Sequence, residues 1–131
     1  MDADELKKRT KKFALAIIRL ASSIPRNPEA DIIRHQMVRS GTSVGANYRA
    51  ACRARSRPEF VSKIGIVEEE ADETAYWLEL LTESGLAKPA QTAGLLKEAH
   101  ELIAIFSASR RTAKSQSTGQ PNRKLTIGNR Q

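Results

Sequence analysis

Apolar side chains recur along this chain at steps of three and four, the spacing of one helix face, and they do so in four successive stretches. In the first, Leu6, Phe13, Ile17, Leu20 and Ile24 carry the pattern with Ala14 and Ala21 between them, predicting a helix from about Asp4 to Ser22. Acids at 2, 4 and 5 stand where the positive end of its dipole lies. Ile24-Pro25-Arg26-Asn27-Pro28 is a connector that already holds the next start: Asn27 suits an N-cap, and Pro28 suits the first helical position, where its missing N–H costs nothing.

The second helix is expected to run from there to about Arg55, roughly 40 Å at 1.5 Å per residue. It crosses an unusual block, Arg39–Arg57, RSGTSVGANYRAACRARSR. Gly41 and Gly45 each cost about 1 kcal/mol relative to alanine in a helix interior, so a loop over 40–46 is the rival reading. The periodicity favours the helix. Ile33, Met37, Gly41, Val44, Tyr48 and Ala51 share one face; Gln36, Ser40, Ser43 and Asn47 share a second; His35, Arg39, Thr42, Ala46, Arg49 and Arg53 share a third.

Ser56 with Glu59 fits a capping box, with Pro58 in the first turn of a third helix. There Phe60, Ile64, Val67, Ala71, Thr74, Leu78 and Leu81 form an unbroken heptad seam, widened by Val61, Ala75, Trp77 and Leu80. A stripe this wide implies burial on more than one side, as in a bundle that also oligomerises. Gly85 and Lys88-Pro89 mark the next turn, and a fourth helix is expected over about Pro89 to Thr112, with Leu95, Ala99, Leu102, Ile103 and Phe106 inward. The remainder, rich in Ser, Gln, Asn and Gly with Lys114, Arg123, Lys124 and Arg130, lacks an apolar period and reads as a disordered basic tail. The expected organisation is an all-α, antiparallel up-down-up-down four-helix bundle over 1–113 and the tail over 114–131.

Charge adds a second pattern. Residues 1–60 hold 13 Lys/Arg against 6 Asp/Glu, residues 61–84 one against seven, and residues 85–131 eight against two. Basic and acidic helices lying side by side, or meeting across subunits, would produce this alternation, and a net charge of +7 favours contact with a polyanion. Aromatics are only 5%, so Leu, Ile, Val and Ala must fill the core. A single cysteine, Cys52, allows no intramolecular disulfide, no apolar run reaches the roughly 20 residues of a membrane span, and the N-terminus has no signal-peptide core. The expected compartment is the cytoplasm.

The catalytic inventory is poor. Neither His35 nor His100 stands in a recognisable spacing to Cys52, and HExxH, CxxC and a phosphate-binding glycine loop with lysine are missing. GTSVG matches G-x-S-x-G in letters only, because a nucleophile elbow needs a preceding strand and Ser43 lies inside a predicted helix. Glu68, Glu69, Glu70, Asp72 and Glu73 would suit a di-metal bundle only with Glu-x-x-His pairs, which the chain lacks; a solvated or salt-bridged face is the simpler reading. No catalytic residue, metal or cofactor is expected, and the chain reads as a non-enzyme.

Two sets of residues are candidates for contact. Gly41, Ser43, Gly45 and Asn47 form a helix close-packing set: the glycines admit a neighbouring backbone, and Ser43 and Asn47 would bond across the contact or to a facing backbone group. Arg49, Arg53 and Arg57 are spaced by four, with Arg39 near the same strip, and Lys8, Lys11 and Lys12 crowd the first helix. Arginine pairs bidentately with phosphate, and a row along a helix can track a nucleic-acid backbone. Pairing with the acidic third helix, within or between subunits, is the competing role. Only Tyr48 interleaves with the arginines, and it lies on the core face, so phosphate contact with weak sequence preference is the form binding would take.

SIPRN, RHQMVRSGTSVGANYRAACRARSRPEF and EEADETAYWLELL resemble the bacterial four helix bundle protein family, which is related to the proteins encoded by 23S rRNA intervening sequences. The resemblance covers about Phe13 to Arg111. It implies a cytosolic antiparallel bundle assembled as a ring-shaped homopentamer, without established enzymatic activity. A related branch, the accessory proteins of diversity-generating retroelements, shares that architecture and binds nucleic acid and a reverse transcriptase through basic surfaces. This chain departs from the family at Ala50, where a glutamate is common, so any buried pair made by that acid is missing.

The expectation is therefore a homo-oligomer, pentameric by resemblance, that binds structured RNA or DNA through Lys8, Lys11, Lys12, Arg39, Arg49, Arg53 and Arg57. The alternative is a protein-interaction module, such as a reverse-transcriptase adaptor, whose basic strip serves subunit or partner contacts. No membrane is expected as a partner.

Overall fold

Side chains close the helix starts in the computed structural model, which describes residues 1–119. The Asp2 carboxylate accepts the Glu5 N–H and the Glu5 carboxylate accepts the Asp2 N–H, opening α1 (Ala3–Ser23). Asn27 accepts the Ala30 N–H at 2.8 Å and Pro28 follows it, opening α2 (Pro28–Cys52). Ser56 accepts the Glu59 N–H at 3.1 Å and opens α3 (Arg57–Glu83). The expected capping box there is only half formed, since the Glu59 carboxylate reaches past Ser56 to the Arg55 N–H at 3.4 Å. Gly85, with φ +80°, makes the left-handed turn beyond α3, and the Gln91 side chain accepts the Lys88 N–H at the start of α4 (Pro89–Gly119).

Among the described residues there is no strand, and the four helices form a bundle. α2 packs on α1 and α3, α3 packs on α4, and α4 meets α1 more sparsely. Phe13 and Ile17 of α1, Met37, Val44 and Tyr48 of α2, Ile64, Val67, Leu78 and Leu81 of α3, and Leu102 and Phe106 of α4 are all buried in one core. No helix among the described residues is long and apolar enough to cross a membrane.

α2 runs unbroken through 40–46, so the glycines do not open a loop. It stops at Cys52, short of the expected Arg55. Arg53 N–H turns back to Ala50 O and Ala54 N–H to Ala51 O, tightening the last turn, and Ser56 must be extended (φ −152°, ψ 162°) to cap α3. α4 differs in the other direction. It continues past Thr112 to Gly119, and Ala113 and Gln116 are buried at the steps of seven and ten residues beyond Phe106. The expected tail therefore begins inside a helix, and Arg123, Lys124 and Arg130 lie outside the described residues.

Candidate nucleic-acid interface

The basic turn of α1 divides by direction. Arg9 turns to α4, where its Nε and Nη2 donate to the two oxygens of Glu98 at 2.6 and 2.7 Å and Nη2 also donates to Glu101 at 2.6 Å. Glu98 above all, then Glu101, hold that guanidinium further into its charged form. Lys8, Lys11 and Lys12 are exposed instead. Together with Lys7, Arg49 and Arg53 they form no ion pair among the described residues.

Three of these free cations meet at one place. Lys7, Thr10, Lys11 and Ala14 of α1 and Thr42, Gly45, Ala46 and Arg49 of α2 line a groove of about 220 Å³. Small residues line it between the cations, and its only charges are positive. Two larger grooves differ: one between α1 and α4 mixes Arg9 and Lys12 with Glu98, and one between α3 and α4 sets Glu68, Glu69 and Asp72 beside Arg110. Thr10 and Thr42 are not picked out by the sequence pattern as binding residues. The spacing of Lys7 and Lys11, one turn apart, was the available sign, but which helix would face them was not.

The other arginines are placed differently from a continuous strip. Arg39 Nη1 donates to Glu70 at 3.3 Å and its Nη2 is paired with Glu73, so this guanidinium is already engaged by α3. Glu73, itself held below the usual carboxylate range by the Trp77 indole N–H at 3.0 Å and then by Arg39, completes the cluster. Arg53 is the C-cap of α2, and Arg57 begins α3. The spacing of four from Arg49 to Arg57 thus spans a helix end and does not define one face. The Arg57 Nε is buried without a hydrogen-bond partner, unlike Arg49 and Arg53, which are exposed.

The close-packing set also resolves into parts. A Cβ at Gly41 would stand 2.9 Å from Cγ2 of Ile17, and one at Gly45 would stand 3.1 Å from Oγ1 of Thr10, so the missing side chains are what admit α1 of the same chain. Ser43 and Asn47 do not bond across this contact: Ser43 donates to Arg39 O at 2.7 Å and Asn47 to Ser43 O at 2.9 Å, both within α2. The hydroxyl that crosses between helices is that of Ser40, bonded to Thr74 of α3 at 2.8 Å with both residues fully buried. On the opposite flank of the core the Tyr48 ring meets Phe106, and burial, then the neighbouring Cys52 thiol, pushes its phenol up from the ordinary range. Among the described residues no group of three or more His, Cys, Asp or Glu could hold a metal ion.

A model of the family described as 23S rRNA-intervening sequence protein matches residues 4–108, from the first turn of α1 to well within α4. A crystal structure of a protein with unknown function from the S23 ribosomal protein family, from Bacteroides thetaiotaomicron VPI-5482, is 32% identical to this chain. The match covers 85% of this chain and 99% of that one, with a TM-score of 0.78. No curated protein matches.

Proposed function

The chain belongs to the 23S rRNA-intervening sequence protein family, and from that premise we propose that it is a non-enzymatic bundle that binds structured RNA or DNA through phosphate contacts. The observation that carries the reading is the set of cations on α1 and α2 that form no ion pair among the described residues, with Lys7, Lys11 and Arg49 rimming a groove that no described acid lines. Each phosphate contact releases condensed counterions, so affinity should fall steeply with salt. Arg49, Arg53 and Lys12 are the principal contacts, and Lys8 and Lys11 lie beside them on α1. Arg39 is a lesser one, because phosphate would have to displace two carboxylates from it.

The proposed bundle is up-down-up-down and antiparallel. Supporting this, Thr10 lies against Gly45 and Ile17 against Gly41, while Thr82 meets Thr92 and Glu68 meets Arg110, so early residues of one helix face late residues of the next. It acts as a ring-shaped homo-oligomer, a reading supported by the apolar side chains left outside the core, among them Ile32, 65% exposed, and Tyr76, 53% exposed.

Fluorescence anisotropy with a hairpin RNA and a DNA duplex at several salt concentrations tests the binding. Arg49→Ala and Arg53→Ala should each lower the slope of log affinity against log salt by about 1, and Arg39→Ala by clearly less. No binding at low salt, or binding without salt dependence, overturns the reading. The second reading, a protein adaptor, draws on the same exposed apolar residues. It gains if Arg49→Glu with Arg53→Glu abolishes assembly while the nucleic-acid shift persists.

A further inference from the structure

Two stripes of side chains face outward with the spacing that inward seams have. On α1, Lys8, Lys11, Leu15, Ile18 and Ser22 step by three and four and are all exposed, Leu15 and Ile18 at 43% each. On α3, Ile66, Glu69, Glu73, Tyr76 and Leu80 step likewise, with Ile66 at 40% and Tyr76 at 53% exposed and Glu73 and Leu80 half-buried. The Tyr76 ring is braced edge-on by Trp77, their centroids 5.1 Å apart. A lone exposed leucine needs no explanation, but Leu15 with Ile18, and Ile66 with Tyr76 and the half-buried Leu80, lie on the outer faces of helices already packed on their other side and make half of a second seam.

The two stripes match most fully when both helices run the same way. Aligned so that both helices run the same way, Lys8 meets Glu69, Lys11 meets Glu73 and Asp72 beside it, Leu15 meets Tyr76 and Ile18 meets Leu80. The paired levels agree to within about 1.5 Å at the helical rise. Run the opposite way, one register sets Lys8 and Lys11 on Leu80 and Tyr76 and Leu15 and Ile18 on Glu73 and Glu69, charge on apolar surface. A second sets Lys8 on Glu73, Lys11 on Glu69 and Leu15 on Ile66 but leaves Ile18 on Ser62 and Tyr76 and Leu80 uncovered. Glu73 is tied to Arg39 and Trp77, so Glu69 and Asp72, which form no ion pair among the described residues, are the acids of the stripe left for a partner.

We infer that the α1 stripe of one copy packs on the α3 stripe of the next, the helices running in the same direction. Because different surfaces meet, the contact is heterologous, and it closes into a ring when the rotation permits. Alternate helices of the proposed bundle share a direction, so copies related by rotation about an axis along the bundle bring α1 and α3 together in the required sense. The groove of Lys7, Lys11 and Arg49 borders the contact. Lys8 and Lys11 face the neighbouring copy in this arrangement, and Lys7, Lys12, Arg49 and Arg53 remain for nucleic acid. This inference rests on the oligomer proposed above.

The test is disulfide trapping in the full chain with Cys52→Ser. Ile18→Cys combined with Leu80→Cys should give a ladder of linked copies on a non-reducing gel, whereas Ile18→Cys with Glu69→Cys, the opposite direction, should not. Sedimentation should show Tyr76→Ala weakening assembly at least ~10-fold, and Lys8→Glu with Glu69→Lys assembling better than either alone. Assembly without an 18–80 link, or with an 18–69 link, overturns the seam and leaves the oligomer standing. A chain that is monomeric at about 100 μM, the middle of the μM–mM affinity range, overturns both, while the salt titration judges nucleic-acid binding independently.

Discussion

α2 meets its two neighbours by opposite means. Toward α1 it offers an absence: the missing side chain of Gly41 lets Ile17 approach to where a Cβ would be 2.9 Å away. Toward α3 it offers polar groups, with Ser40 bonded to Thr74 inside the core and Arg39 joined to Glu70 and Glu73 at its edge. One short block of small residues thus serves two contacts with different tolerances. The first cannot accept volume, and the second cannot lose one partner of a buried pair.

The polar contact should show the larger single-site loss. Thr74→Val keeps the shape but takes from Ser40 its partner on α3, leaving only the long bond to Met37 O at 3.4 Å, and should cost about 1–3 kcal/mol in urea denaturation. Adding Ser40→Ala should recover much of it, because removing both partners leaves no buried hydroxyl unpaired; an additive double variant would show that packing governs that face too. On the steric side, Gly41→Ala should lose about 1 kcal/mol net, an overpacking cost of about 1–3 offset by about 1 of helix propensity. Gly94→Ala, where nothing lies within 4 Å of the added carbon, should gain up to about 1 kcal/mol. Gly45→Ala, against the smaller and more yielding Thr10, should fall near zero.

The smallest effect concerns the rim. The Glu73 carboxyl titrates lower in the folded chain, so what its contacts contribute is present above the usual carboxylate value of about 4.3 and is lost as pH falls through the depressed value. Trp77, the single tryptophan, donates to that carboxylate, so its emission should change over the same acid range. Glu73→Gln should abolish the transition.

The four helices were legible because their apolar steps repeat over many turns, and α2 was legible through its glycines because three faces kept their phase across them. What the pattern could not supply was partnership. Phase placed Ser40, Ser43 and Asn47 on one strip, but only the position of α3 decides that Ser40 crosses and the other two bond to their own helix. Arg39 looked as free as Arg49 because reach to Glu70 and Glu73 is a property of the packed pair. Arg57 looked continuous with Arg53 because spacing does not register a helix end. Past Thr112 the apolar period fades because a glutamine, Gln116, occupies a buried position.

The Arg9 clamp has a consequence for the order of folding. Helices adjacent in sequence make most of the packing, while Arg9 joins the first helix to the last and closes the longest loop in the bundle. Loop closure costs entropy before its contacts repay it, so local pairs assemble first and this joint forms on the native side of the barrier. Arg9 therefore acts as a latch on a structure already folded: replacing it with alanine would leave the refolding rate nearly unchanged and hasten unfolding.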